Sequence, residues 1–233
     1  MTFLKSELQS DVPLSATNGW SCVLFDLDGT LIDSAPGITG SLIRVLTNAG
    51  LEVPNAEELN SFVGPPLLDS LMSRCGLSES AARDLLADYR QDYSEHGAFD
   101  SAVFPGIRGV LGDLASVGVP LAVATSKPRI QAVRILKHCE LDRYFQVIAG
   151  ASEDESRSKK SEIVHDALAE LRERGFNVSH PVMVGDRSFD VVGAAANKVP
   201  TILVEWGYGS PQEAQGSIAV VHSTDQLRSL LLS

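Results

Sequence analysis

Apolar residues fall along this chain in two alternating rhythms. Short continuous runs read as buried strands: residues 22–25, 119–125, 145–149, 181–184, 201–204 and 219–221. Such runs, apolar on both faces, are what a covered parallel sheet requires. Between them lie stripes at helical spacing. Ile107, Val110, Leu111, Leu114 and Val117 form one, ended by Gly118. Ile130, Val133 and Leu136 form a second, and Ile163, Val164, Ala167, Leu168 and Leu171 a third. A small-residue helix follows with Val192, Ala194, Ala195 and Ala196, and residues 225–232 close the chain. Strand and helix in alternation predict an α/β fold, a Rossmann-like three-layer arrangement with a parallel sheet between helices.

One block breaks the rhythm. Pro36 opens a helix carrying Ile38, Leu42, Val45, Leu46 and Ala49, and Gly50 ends it. From there to about residue 103 the pattern contains no strand. Residues 57–62, 67–75 and 80–93 read as helical pieces, and Gly64-Pro65-Pro66 must be a loop. The expected organisation is an N-terminal extension at 1–19, an α/β core at 20–35 and 104–233, and a small all-helical cap at 36–103 inserted after the first strand. Hinges are expected near 34–36 and 104–106.

Composition narrows the classes. With 233 residues, 44% of them apolar, the chain can bury a sizeable core. A net charge of −11 argues against nucleic acid or an anionic membrane as partner. Cys22, Cys75 and Cys139 are far apart, with no Cys-x-x-Cys, and read as reduced thiols without a zinc site. No run approaches a membrane span, and residues 1–19 lack the charged and apolar regions of a signal peptide. The expectation is a cytoplasmic protein. The five histidines show no ligand spacing, and oligomeric state is not legible.

The candidate chemistry gathers at strand ends. The first strand runs into Asp26-Leu27-Asp28-Gly29-Thr30. In open α/β sheets ligands sit at that carboxyl edge. Two carboxylates one residue apart start on the same side of an extended chain and repel unless a cation, a shared proton or a basic partner offsets them. The stretch is a metal site, an acid/base pair or both, against the plainer reading of an Asp-Gly turn. Other strand ends offer Thr125 and Ser126, then Lys160, then Asp186 and Asp190. Singly, these read as a cap, a solvated lysine and a turn. Together they complement one another: carboxylates suit Mg²⁺, and a hydroxyl with an ammonium suits a tetrahedral oxyanion.

On these residues the chain resembles the haloacid dehalogenase superfamily of phosphatases. Asp26-Leu27-Asp28-Gly29-Thr30 is similar to that family's first motif, Thr125 to its second, Lys160 to its third and Gly185-Asp186-Arg187-Ser188-Phe189-Asp190 to its fourth. The resemblance spans about residues 20 to 230. It implies that Asp26 is the nucleophile and a metal ligand. Asp28 would be the general acid/base and give its backbone carbonyl to the metal. Thr125 would hold the phosphoryl group, and Lys160, favoured over Lys159, would neutralise charge. Asp186 would bind Mg²⁺, with Asp190 supporting that site. Backbone N–H groups of Leu27, Asp28 and Ser126 would complete the phosphate cradle.

An acid at Asp28 is what the phosphatases carry and the dehalogenases and ion-pumping ATPases lack. The implied activity is Mg²⁺-dependent hydrolysis of a small phosphorylated metabolite through an aspartyl-phosphate. The alternatives are a phosphomutase and a catalytically silent binding protein. Two branches compete. Phosphoglycolate phosphatases share Thr125-Ser126-Lys127-Pro128. Bacterial 5′-nucleotidase-like proteins share Val63-Gly64-Pro65-Pro66-Leu67, Val184-Gly185-Asp186-Arg187 and Trp206-Gly207-Tyr208-Gly209-Ser210. Gly64, Pro65, Pro66 and Arg157 are the candidates for substrate selection.

Overall fold

The computed structural model describes residues 19–153 and 156–233. The expected N-terminal extension, apart from Gly19, lies outside the described residues. Six strands form one sheet: β1 (Cys22–Phe25), β4 (Leu121–Pro128), β5 (Val147–Ala151), β6 (Pro181–Gly185), β7 (Thr201–Val204) and β8 (Ala219–Val221). Their order across the sheet is β5-β4-β1-β6-β7-β8, and every pair is parallel. These are the six apolar runs of the sequence, so the expected parallel sheet is present.

Alternation along β1 shows how the layers form. Val23 and Phe25 join one apolar cluster, Cys22 and Leu24 the other. On the first face sit α5 (Ile107–Ser116), α6 (Arg129–His138) and α9 (Thr224–Leu232). On the second lie α7 (Lys160–Glu173) and α8 (Ser188–Ala195). Strand order reverses at β1: the chain builds outward to β4 and β5 on one side, then to β6, β7 and β8 on the other. That reversal opens a crevice at the carboxyl ends of β1, β4 and β6.

Four helices stand between β1 and α5: α1 (Ala35–Asn48), α2 (Ala56–Asn60), α3 (Leu67–Cys75) and α4 (Glu79–Asp92), the last continued by a π-helical turn at Tyr93–Gly97. Their apolar faces join the cluster on the first face of the sheet. As expected, no strand interrupts residues 50–101, but a short pair that the apolar pattern does not show lies at the borders of the helical block. Ile32–Asp33 (β2) and Ala102–Val103 (β3) pair antiparallel, a ribbon where the chain enters and leaves the helices. A two-residue strand carries no periodicity, and only the meeting of distant segments makes it. Strand β4 also runs past Thr125 to Pro128, with a register shift against β5 between those residues. Among the described residues no helix is long and apolar enough to cross a membrane.

Candidate active site

Asp26 follows β1 directly, and its N–H donates to the Val184 carbonyl of β6 at 2.9 Å. The carboxylate is 3% exposed. Lys160, first residue of α7, reaches it from the second face. Its Nζ lies 2.8 Å from Asp26 Oδ1, 2.8 Å from Asp190 Oδ1 and 3.1 Å from the Ala124 carbonyl. Neighbouring Lys159 is exposed. Burial opposes charge on Lys160, but Asp190 and Asp26 outweigh it and raise its pKa, so the ammonium persists.

Asp186 leaves the end of β6, and Asp190 sits in the first turn of α8. Asp190 Oδ2 accepts from the N–H groups of Asp186 (3.1 Å) and Arg187 (3.0 Å), which folds the loop back on itself. Asp186 Oδ2 accepts from the Tyr208 N–H at 2.8 Å. Gly29 makes this closeness possible. Its φ is +81°, and a Cβ there would stand 2.2 Å from Asp186 Oδ2.

Asp26, Asp186 and Asp190 each present a carboxylate oxygen within 4.8 Å of the others, all three buried. Asp26 Oδ1 and Asp190 Oδ1 face Lys160 as ion pairs but receive no directed hydrogen bond. Burial first, then Lys160 in opposition and Asp190 in support, leave the Asp26 pKa at about 7. Burial, Asp190 and Asp26 push Asp186 well up. Three buried carboxyl groups share one ammonium, and burial with mutual repulsion favours protons on them unless a cation joins. That donor set fits a hard divalent cation of the Mg²⁺ type.

Asp28 turns elsewhere. Its Oδ1 accepts from Ser34 Oγ at 2.5 Å, and its Oδ2 pairs with Lys127 Nζ at 3.2 Å. The carboxylate cluster therefore contains Asp190 rather than the Asp28 side chain. The side chain of Lys127 is buried, donates to the Tyr93 hydroxyl at 3.1 Å and puts Nζ 4.7 Å from the centre of that ring. Burial works against its charge, but Asp28 and Tyr93 outweigh it and its pKa is raised. Thr125 is buried at the sheet edge, where its Oγ1 accepts from the Lys127 N–H at 3.2 Å.

Asp28, Ser126 and Lys127 form one wall of a cavity of about 80 Å³. Phe62, Gly64, Pro65, Leu86, Tyr89 and Tyr93 from the interposed helices supply much of the opposite wall. Tyr89 and Tyr93 stack there with centroids 5.5 Å apart. Of the residues proposed for substrate selection, Gly64 and Pro65 line this cavity, while Pro66 is the N-cap of α3. Arg157 does not: it pairs with Asp166 at 2.7 Å, about half exposed, away from the cavity wall. Its position in a charged loop gave no sign that a helix-borne carboxylate would take it.

Ser34, Lys127, Tyr208 and Arg187 were not assigned roles from sequence. Lys127 carried a signal, sitting two residues beyond Thr125 on a strand that continues. Tyr208 stands in the Trp206-Gly207-Tyr208-Gly209-Ser210 stretch, which gives no hint of its role: its hydroxyl accepts from the Ser34 (2.8 Å) and Ala35 (3.0 Å) N–H groups and donates to Asp33 Oδ1 (2.7 Å), residues more than 170 positions away.

Comparison with known proteins identifies the family. Residues 23–204 match the haloacid dehalogenase-like hydrolase family. Tyrosine-protein kinase PtkA of Mycobacterium tuberculosis is 45% identical over 213 residues, 90% of this chain and 72% of that one. A 5′-nucleotidase of Pseudomonas aeruginosa is 39% identical over 82% of this chain and 85% of its own, and proteins named phosphoglycolate phosphatase match as well. The crystal structure of a predicted phosphatase from Clostridium acetobutylicum superposes with a TM-score of 0.84 at 38% identity, covering 90% of this chain and 96% of that one. The chain belongs to the haloacid dehalogenase-like hydrolase family and stands with its phosphatases.

Proposed function

We propose that this protein hydrolyses a small phosphomonoester through an aspartyl-phosphate on Asp26, with Mg²⁺ as cofactor. The supporting observation is the division of labour between two carboxylates on one strand end. Asp26 lies among Lys160, Asp186 and Asp190, while Asp28 faces the cavity beside Lys127. Asp26, Asp186 and Asp190, with the Asp28 backbone carbonyl, would hold the cation. Bound there, the ion supplies charge neutralisation for the phosphoryl oxygens.

The chain's own groups do the rest. An Asp26 oxygen attacks phosphorus, and the bond from phosphorus to the ester oxygen breaks. Asp28, which takes up a proton from solvent before the ester binds, gives that proton to the departing oxygen. Asp28, now ionised beside Lys127, takes a proton from water as the water attacks the phosphorus. The bond from Asp26 to phosphorus then breaks and phosphate leaves. Thr125, Lys160 and the backbone N–H groups of Leu27, Asp28 and Ser126 hold the phosphoryl oxygens throughout. The interposed helices, residues 36–103, act as a cap that shuts the cavity from water, with hinges near 34–36 and 104–106.

Phosphate release from 2-phosphoglycolate, 5′-nucleotides, sugar phosphates and p-nitrophenyl phosphate tests this, each with Mg²⁺, with EDTA and with Asp26→Asn. Release abolished by both EDTA and the substitution is the expected result. Release that survives Asp26→Asn overturns the covalent route. The name of the Mycobacterium relatives favours a second reading, phosphoryl transfer to a tyrosine hydroxyl in place of water. Labelled ATP with a tyrosine-containing acceptor distinguishes the two.

A further inference from the structure

Two separated sequence features, Val63-Gly64-Pro65-Pro66 and Gly185-Asp186-Arg187, meet in space. Arg187 is 8% exposed. Its Nη1 donates to the Val63 carbonyl at 2.6 Å, a buried contact between segments 124 residues apart. Its Nε donates to Glu213, 3.0 Å to Oε2 and 3.2 Å to Oε1. Glu213 is itself fixed, accepting from the Ser188 N–H (2.9 Å), Ser188 Oγ (3.0 Å) and the Ser210 N–H (3.2 Å). The aliphatic stem of Arg187 lies against Gly64, whose φ is +103° and where a Cβ would sit 3.3 Å from Arg187 Cγ. One guanidinium is thus held by a carboxylate on the sheet side and grips the backbone of a loop on the helical side.

That loop is the wall of the Asp28 cavity, which Phe62, Gly64 and Pro65 line. Asp186, one of the three clustered carboxylates, is the residue before Arg187. We propose that Arg187 is a positioning residue that latches residues 62–65 over the cavity, so that the segment bearing Asp186 also sets how large an ester group Asp28 can serve. The size consequence rests on the reading of that cavity as the leaving-group pocket; the latch does not.

The reasons are geometric. A guanidinium offers several donors in a fixed plane, so it can satisfy Glu213 with one edge and Val63 with another. A lysine ammonium concentrates its donors on one atom and lacks the planar fork that spans the two partners. A buried charge-assisted contact of this kind is stronger than a neutral one, and losing it leaves the Val63 carbonyl buried without that donor. The Arg187 backbone N–H, which serves Asp190, is untouched by changing the side chain.

The test compares wild type with Arg187→Gln, Arg187→Lys and Glu213→Gln. Amide hydrogen exchange across residues 62–68 is read first, without substrate. Arg187→Gln is expected to speed that exchange about tenfold or more. Arg187→Lys and Glu213→Gln are expected to speed it less, while exchange in β1 and β6 stays unchanged. Mg²⁺ binding, followed by calorimetry, is expected to keep its affinity. In steady state, KM for 2-phosphoglycolate should rise in Arg187→Gln more than KM for p-nitrophenyl phosphate, shifting preference towards the bulkier ester. Unchanged exchange at 62–68 overturns the latch. So does a uniform fall in kcat for both esters with weakened Mg²⁺ binding, which marks Arg187 as a support of the cation cluster alone. A wild type that releases phosphate from no ester of the panel removes the hydrolytic reading of the cavity, and the exchange measurement still decides the latch.

Discussion

Lys160 stands between Asp26 and Asp190 with its Nζ 2.8 Å from an oxygen of each. Removing the ammonium leaves three buried carboxylates with no cation of the chain among them. Lys160→Gln is expected to cost about 3–5 kcal/mol of stability in metal-free protein, as for other broken buried pairs. Turnover is expected to fall by about 100-fold or more, as when a group that stabilises developing charge is removed. Lys159→Gln, on an exposed side chain, should change neither. Denaturant unfolding and phosphate release check both, and a larger effect at Lys159 would move the role there.

Asp28 and Lys127 predict a dependence on the leaving group. If Asp28 protonates the departing oxygen, Asp28→Asn should harm alkyl phosphates far more than p-nitrophenyl phosphate, whose phenolate leaves without a proton. A ratio of kcat values that stays constant across leaving groups would remove Asp28 from that step.

The burial of Asp26 has a pH consequence. Its pKa rises from the ordinary 3.8 to about 7, so the metal-free folded state holds a proton there that the unfolded state has released. Stability of metal-free protein should therefore fall as pH rises between those values. A cation that binds ionised carboxylates competes with that proton. The rise in Tm on adding Mg²⁺ should be larger at about pH 8 than at about pH 5. Thermal melts at the two pH values, with Mg²⁺ and with EDTA, check the sign.

Arg157 was expected from sequence to help select substrate, and the structure pairs it with Asp166 at the surface. An exposed pair of this type contributes about 0–1 kcal/mol. Arg157→Ala should leave KM unchanged for every ester tested. A KM that rises for one class of ester would restore the residue to the site.

How much of this was legible follows from the range over which each signal acts. The six sheet strands were readable because each is a continuous apolar run, and Gly118 marks a helix end with its own φ of +78°. Strand ends gathered Asp26, Thr125, Lys160 and Asp186 into one region because a parallel sheet leaves them no other edge. The β2–β3 ribbon was not legible, since two residues have no period. Nor was the burial of Lys127 and Arg187. Their partners Asp28, Tyr93, Glu213 and Val63 are distant in sequence, and only the fold brings them together. Asp190 read as a supporting group, and only the return of its loop sets it level with Asp26 and Asp186.

The β2–β3 ribbon brings Asp33 opposite Ala102. Seen from the sheet, everything between them is a single excursion that comes back one strand spacing, about 5 Å, from where it departed. The sheet's register is thereby insulated from whatever the excursion contains. Residues can be added, lost or exchanged there without displacing the strand ends that carry the carboxylates, as insertions elsewhere are tolerated where chain ends lie side by side. What still ties the excursion to the sheet is a small set of cross-contacts, Arg187 with Val63 and Lys127 with Tyr93 among them.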